Sequence, residues 1–303
     1  MPRKTSLTIP ILAIFMTLLP KAFGQSVILG VLEDNSGHYA GEPNSRTVRA
    51  LFKKDRSDWQ PFPSDCEDTF CLKSLTATYP PEVTWTITFD GRNLGQVTGR
   101  TPKDFAWYSS VGQQEITSKG PVPTVGERSE KFGGYTGAAV YRPLVANSQP
   151  NFNDPDGWKL SAPFPNLQAI LRSAFRGKFP RLCHSNSTDD SAKPEPFPYR
   201  DEEMNFVKAY RSKTGWIAVQ MHIDATDCED AEAGFGIDDA WFVVSPRHSV
   251  TYLDSGIWLV DAGDYDHDGR SELVFSIDKD NRGGYEIFYD EFKKHAKFEF
   301  SYH

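Results

Sequence analysis

The sequence predicts an all-β fold, mostly strand with one short helix. Three observations carry this reading. Short segments rich in Val, Ile, Thr and aromatic residues recur along the chain, and Gly, Asp and Pro turns separate them. One stretch alone has apolar residues at helical spacing. Aromatic residues make up 13% of the 303, and such side chains readily fill the core between sheets.

The elements follow in order. Residues 1–24 stand apart from the fold. Arg3 and Lys4 give a basic start, and "LTIPILAIFMTLL" gives 13 apolar residues, too short to span a bilayer. Ala22 and Gly24 then supply the small residues of a cleavage site, so 1–24 reads as a secretory signal peptide cleaved before Gln25. Residues 25–303 read as a single β-rich domain, because strand patterns continue on both sides of the proline-rich "SAKPEPFPY" without a change of character. "SVILGVLED" and "RTVRALFKK" are the first strand candidates. "EVTWTITF", "DGRN" and "LGQVTG" read as a hairpin with an Asp-Gly turn. "NLQAILRSAFRGKF" is the helix, with Leu167, Ile170, Leu171, Ala174 and Phe175 on one face, Asn166 as its cap and Gly177 at its end. "MNFVKAYR", "SKTG" and "WIAVQMHID" form a second hairpin, in which Ile217, Val219, Met221 and Ile223 share one face. "DAWFVVS", "IWLVDA", "ELVFSID", "GYEIFYD" and "KFEFSYH" complete the strands.

The net charge is −8, and without the three basic residues of the leader it is −11, with 30 basic against 41 acidic side chains. An acidic chain repels nucleic acid and anionic lipid, so neither is an expected partner. No later stretch approaches 18 apolar residues, so no membrane insertion is expected. Four cysteines remain, Cys66, Cys71, Cys183 and Cys228, and an even count in an exported chain predicts two disulfides. Three pairings are possible. Cys66–Cys71 and Cys183–Cys228 close the shorter loops, and chain entropy assigns them roughly 2 and about 4 kcal/mol.

One motif carries chemistry. "GDYDHDGRSELVF" sets Asp264, Asp266 and Asp268 at alternate positions, then Gly269, then Glu272, then an apolar run. A curled loop can aim these carboxylates at one centre, and calcium, a hard cation with six to eight oxygen ligands, suits them. Gly269 permits the sharp turn. An EF-hand needs a glutamate at the twelfth position, which here is Phe275, so that reading fails. The pattern resembles instead the FG-GAP or VCBS-type calcium loop of integrin α-chain propellers and many secreted bacterial proteins. The resemblance covers about a dozen residues and one copy. It implies ligands at Asp264, Asp266, Asp268, the backbone carbonyl of Arg270, and Glu272. It also implies a structural calcium ion and a β-propeller; a β-sandwich with additions is the alternative architecture.

Other acidic stretches carry less. "DATDCEDAEAGFGIDD" reads as a solvated loop and "DKDNRGG" as a turn between strands. No G-x-S-x-G, H-E-x-x-H or phosphate-cradling loop is present, so no catalytic residue is assigned. His222 is the best general-base candidate on its strand face, and His267 is expected to point outward from the acidic loop. The expected function is a secreted, calcium-stabilised binding or adhesion protein that recognises a glycan or a protein surface. The alternative is a secreted hydrolase or lyase acting on a polysaccharide or phosphoester.

Overall fold

The computed structural model describes residues 26–35, 46–64, 74–102, 108–133, 138–150, 152–162, 164–179, 182–183, 195–196, 199–224, 239–279 and 281–301. The leader, Cys66, Cys71, Cys228 and the acidic stretch 225–238 lie outside these residues. So does most of the proline-rich segment. Cys183 is described only as backbone, in a short ribbon that pairs Leu182–Cys183 with Glu195–Pro196.

The amino-terminal strands are β1 (Ile28–Asp34), β2 (Arg46–Asp55), β3 (Asp58–Pro61), β4 (Val83–Phe89), β5 (Arg92–Gly99), β6 (Gln113–Thr117) and β7 (Leu144–Asn147). They pair in the order β1-β7-β4-β5-β6-β2-β3, and β1 pairs β2 as well. That last pairing joins the two sides, so six antiparallel strands close into a ring. The predicted hairpin is β4–β5, with Phe89 opposite Arg92. Asp90 and Gly91 both take positive φ, 52° and 66°, which matches the right-handed twist of the strands they join. Trp85 fills the ring and donates from its indole N–H to Gln114 Oε1 at 2.9 Å. Gly30 and Gly99 make room for it: a Cβ on Gly99 would lie 2.7 Å from the Trp85 nitrogen.

Two further sheets and a helix stack outward. Strands β8 (Lys159–Ser161), β11 (Met204–Arg211), β12 (Ile217–Ile223), β13 (Asp239–Val244) and β14 (Val250–Ser255) form a five-stranded sheet, the short ribbon counting as β9–β10. Strands β15 (Ile257–Gly263), β16 (Glu272–Lys279), β17 (Arg282–Tyr289) and β18 (Lys294–Ser301) form a meander. The meander uses both faces. Tyr285, Ile287 and Phe298 pack on the barrel, while Leu273, Phe275 and Phe288 pack on Ala218, Trp241 and Val243 of the five-stranded sheet. The other face of that sheet, with Val219, Met221 and Phe242, meets the helix α1 (Pro165–Lys178) through Leu167, Leu171 and Phe175. Period-two alternation explains how each strand serves two cores at once.

A buried ion pair ties the first layer to the second. Arg49 meets both oxygens of Glu33 at 2.8 and 3.0 Å, and its guanidinium lies 4.4 Å from the Phe300 ring centre. Tyr285 donates to the same Glu33 at 2.9 Å.

The described strands show the all-β class but not a closed propeller. A propeller arranges separate blades around an axis, whereas here one sheet closes on itself and the others stack face to face on it. Stacked faces are nearer the sandwich alternative. The helix also starts and stops differently from expectation. Pro165 stands at its first turn, where the fixed φ suits a helix, so Phe164 precedes it and Asn166 lies inside. Gly177 is internal too, and the helix ends at Lys178. "DKDNRGG" joins two paired strands as expected, with Lys279 of β16 opposite Arg282 of β17. No described helix is long and apolar enough to cross a membrane.

Candidate functional site

The acidic loop joins β15 to β16, whose ends pair Gly263 with Glu272. Alternation continues through it. Tyr265 points inward and is fully buried, its ring stacked on Phe152 at 5.2 Å and 3°. Its carbonyl accepts from Asn147 Nδ2 at 2.7 Å, and its N–H donates to Glu272 Oε2 at 2.8 Å. Gly263 is required beside it, because a Cβ there would lie 1.9 Å from the Phe152 ring. With Tyr265 anchored, Asp264 and Asp266 turn the other way. His267 is exposed at φ 62°, and Gly269 takes φ 89°, a left-handed value that a Cβ disfavours.

Asp264, Asp266 and Asp268 each offer a carboxylate oxygen within 4.8 Å of the other two. Oxygens bound to one calcium at about 2.3–2.6 Å lie at most about 5 Å apart, so this spacing fits a single ion. One oxygen of each aspartate is braced by the backbone. Asp264 Oδ2 accepts from Gly269 N at 3.1 Å, Asp266 Oδ1 from Asp268 N at 3.1 Å, and Asp268 Oδ1 from Arg270 N at 2.9 Å. Asp264 Oδ1 is buried with no hydrogen-bond partner, on a residue only 5% exposed. Glu272 is outside the group of three. It is 2% exposed and holds the Tyr265 N–H, behind the loop.

The charges are strongly coupled. Burial, then the neighbouring Asp266 and Asp268, raises the Asp264 carboxyl above its ordinary range. Burial, then Asp266, pushes Glu272 well above its own. Lys54 of β2 answers them: it makes an ion pair with Asp266, and its ammonium lies 5.1 and 5.2 Å from the Trp59 and Tyr289 ring centres. Neither Lys54 nor its aromatic seat carries a local sequence signal that connects it to the loop.

A second loop, 152–157, docks against the first. Ser271 N donates to Asp156 Oδ2 at 2.9 Å, and Ser271 Oγ to Asp154 Oδ1 at 2.5 Å. Asp154 also receives the N–H groups of Gly157 and Trp158 at 2.8 and 2.7 Å. Asp156 reaches a third segment, accepting from Lys213 N at its carbonyl and from the Thr214 hydroxyl at Oδ1. Sequence reasoning passed over "NDPDG", although Asp-Pro and Asp-Gly steps signal a turn.

The β17–β18 turn closes this end of the molecule. Asp290, Glu291 and Phe292 are consecutive non-glycine residues at φ 50°, 56° and 64°. Left-handed backbone costs roughly 1–2 kcal/mol per residue and rarely runs on. The Phe292 ring holds it in place, 5.9 Å from Trp158 edge-on and 5.2 Å from Trp216. Arg270 of the acidic loop pairs with Asp290 at 3.4 Å and Glu291 at 3.8 Å. These loops border an open cavity of about 210 Å³.

The histidine candidates are placed as follows. His222 Nδ1 lies 3.3 Å from Asp239 Oδ1, with its side chain 45% exposed, away from the acidic loop's partners. His295, which sequence reasoning did not single out, lies 2.5 Å from Glu286 Oε1, and its ring stacks on Phe288 at 5.6 Å. Glu286 is fully buried and its carboxyl is raised to about 8, by burial first. Comparison of the chain with protein families, with curated proteins and with solved structures finds no match in any of the three.

Proposed function

We propose that this chain is an exported binding protein, stabilised by one calcium ion, that recognises a glycan or a protein surface. The observation that carries the ion is Asp264 Oδ1, buried without a hydrogen bond beside two further carboxylates within 4.8 Å. An unpaired buried carboxylate is costly unless a cation answers it. Asp264, Asp266 and Asp268 would hold calcium, with the Arg270 carbonyl and Glu272 as the remaining proposed ligands. The bound ion would neutralise the loop and fix the β15–β16 connection. Binding is assigned to the loops at that end, since rigid sheets that display connected loops are the usual arrangement for recognition. Export rests on the leader-like 1–24.

The enzymatic alternative has one observation in its favour. Buried Glu286, its carboxyl raised to about 8, lies 2.5 Å from the ring of His295, whose side chain is 55% exposed, and fixes that ring's orientation as a positioning group does for an acid–base histidine. Two measurements decide. Elemental analysis of dialysed protein is expected to return one calcium per chain, and a glycan array probed with calcium is expected to give saturable binding. Turnover of a polysaccharide or phosphoester that disappears in His295→Ala would overturn the binding reading.

A further inference from the structure

We infer that the cavity beside the acidic loop seats one pyranose ring of a glycan. This deepens the binding reading and rests on it. At about 210 Å³ the cavity is smaller than the roughly 300–1,000 Å³ of drug-sized sites, so it admits one ring rather than a linear run of them. One wall is aromatic: Trp216 and Phe292 are half-buried, tilted by 57° and backed by Phe288 and Tyr289. The C–H face of a pyranose packs on such a surface as any apolar face does. The rest of the lining is polar. Thr214 is exposed, and its hydroxyl oxygen can still accept while its proton goes to Asp156; Arg270 is half-exposed, and beyond its pairs with Asp290 and Glu291 its planar group keeps further N–H donors for a neighbouring hydroxyl.

The charges argue against other small ligands. An anion would meet one guanidinium beside the carboxylates of Asp156 and Glu291. A cationic amine would need an uncommitted carboxylate. Asp156 already accepts from Ser271 N and the Thr214 hydroxyl, and Glu291 is paired with Lys293 and Arg270. A neutral polyol with one apolar face suits what remains. Gly269, Arg270 and Ser271 belong both to the acidic loop and to the cavity wall. An ion that fixes the loop therefore shapes the seat, and sugar binding becomes calcium-dependent. The left-handed turn at Asp290–Phe292 is the kind of strain that persists at ligand clamps, and it is what presents Phe292 to the cavity.

The test titrates the mature chain with methyl glycosides of glucose, galactose, mannose and N-acetylglucosamine, reading the Trp216 indole signal by nuclear magnetic resonance. Tetramethylammonium and inorganic phosphate are run beside them. At least one glycoside is expected to saturate in calcium and to weaken in chelator. Trp216→Ala is expected to weaken it about tenfold. Thr214→Val, with its melting temperature measured alongside because the hydroxyl also donates to Asp156 Oδ1, is expected to weaken it about fivefold. Saturation by tetramethylammonium or phosphate in place of any glycoside would overturn the sugar assignment. Array binding of a glycan that survives both substitutions would move the seat elsewhere and leave the general reading standing. No glycan bound by any measure would remove both.

Discussion

Asp264→Asn should reverse sign with calcium. The amide keeps the size of the side chain and an oxygen that can accept from Gly269 N, so the turn survives while one charge is lost. At an effective dielectric of about 20, like charges within 4.8 Å of one another repel by about 3.5 kcal/mol or more, and Lys54 and solvent offset part of that. In chelator the variant should therefore be more stable than wild type, by about 1–2 kcal/mol. In calcium the order inverts. With a dissociation constant of roughly 10⁻⁴ to 10⁻³ M, typical of extracellular sites, 10 mM calcium contributes about 1.4–2.7 kcal/mol to wild type by linkage. At roughly 2–4 °C per kcal/mol for a chain of this class, wild type should gain about 3–10 °C. The variant should gain almost none. Thermal denaturation followed by circular dichroism, with calcium and with chelator, gives all four numbers. A wild type indifferent to calcium, or a variant that keeps the whole calcium shift, refutes the reasoning.

Three other outcomes are expected. Glu33→Ala strands Arg49, a residue 3% exposed, without its carboxylate and should lower stability in chemical denaturation by about 3–5 kcal/mol; a loss below about 1 kcal/mol would mean the pair is not buried as described. Glu286→Gln should flatten a pH slope. Glu286 faces His295 and Lys297 on β18, Lys279 on β16 and Asp254 on β14, and its carboxyl is raised from 4.5 to about 8. The folded state therefore holds its proton while the unfolded state releases it, so wild type loses stability from about pH 4.5 to 8 and levels off above. The variant should gain on wild type across that window, by about 5 kcal/mol for the full rise from 4.5 to about 8; parallel urea midpoints at pH 5 and 8 would contradict this. Gly263→Ala places a methyl group on the Phe152 ring and should cost about 1–3 kcal/mol while loosening the 152–157 loop, seen as faster amide exchange at Gly157 and Ser271. Unchanged exchange would show that Phe152 yields without moving its loop.

Some of this molecule was decided by sequence alone, because the interactions concerned are local. Alternation in "WIAVQMHID" placed Val219 and Met221 in one core and Ala218 in another, and a two-residue period needs no knowledge of the partner sheet. Asp90-Gly91 specified its turn through the backbone conformations those residues tolerate. The close spacing of Asp264, Asp266 and Asp268 marked a place where charge must be answered. The tertiary structure decided the rest. The helix start depended on Pro165 rather than on a side-chain cap, a competition that propensity does not rank. Closure of the first sheet required β1 to pair on both edges, and strand order is a long-range choice that no single strand encodes. The answering Lys54 and the docking Asp154 and Asp156 come from segments more than 100 residues before the loop they serve. Contacts of that range are written only in complementary shape and charge, which exist once the sheets have stacked.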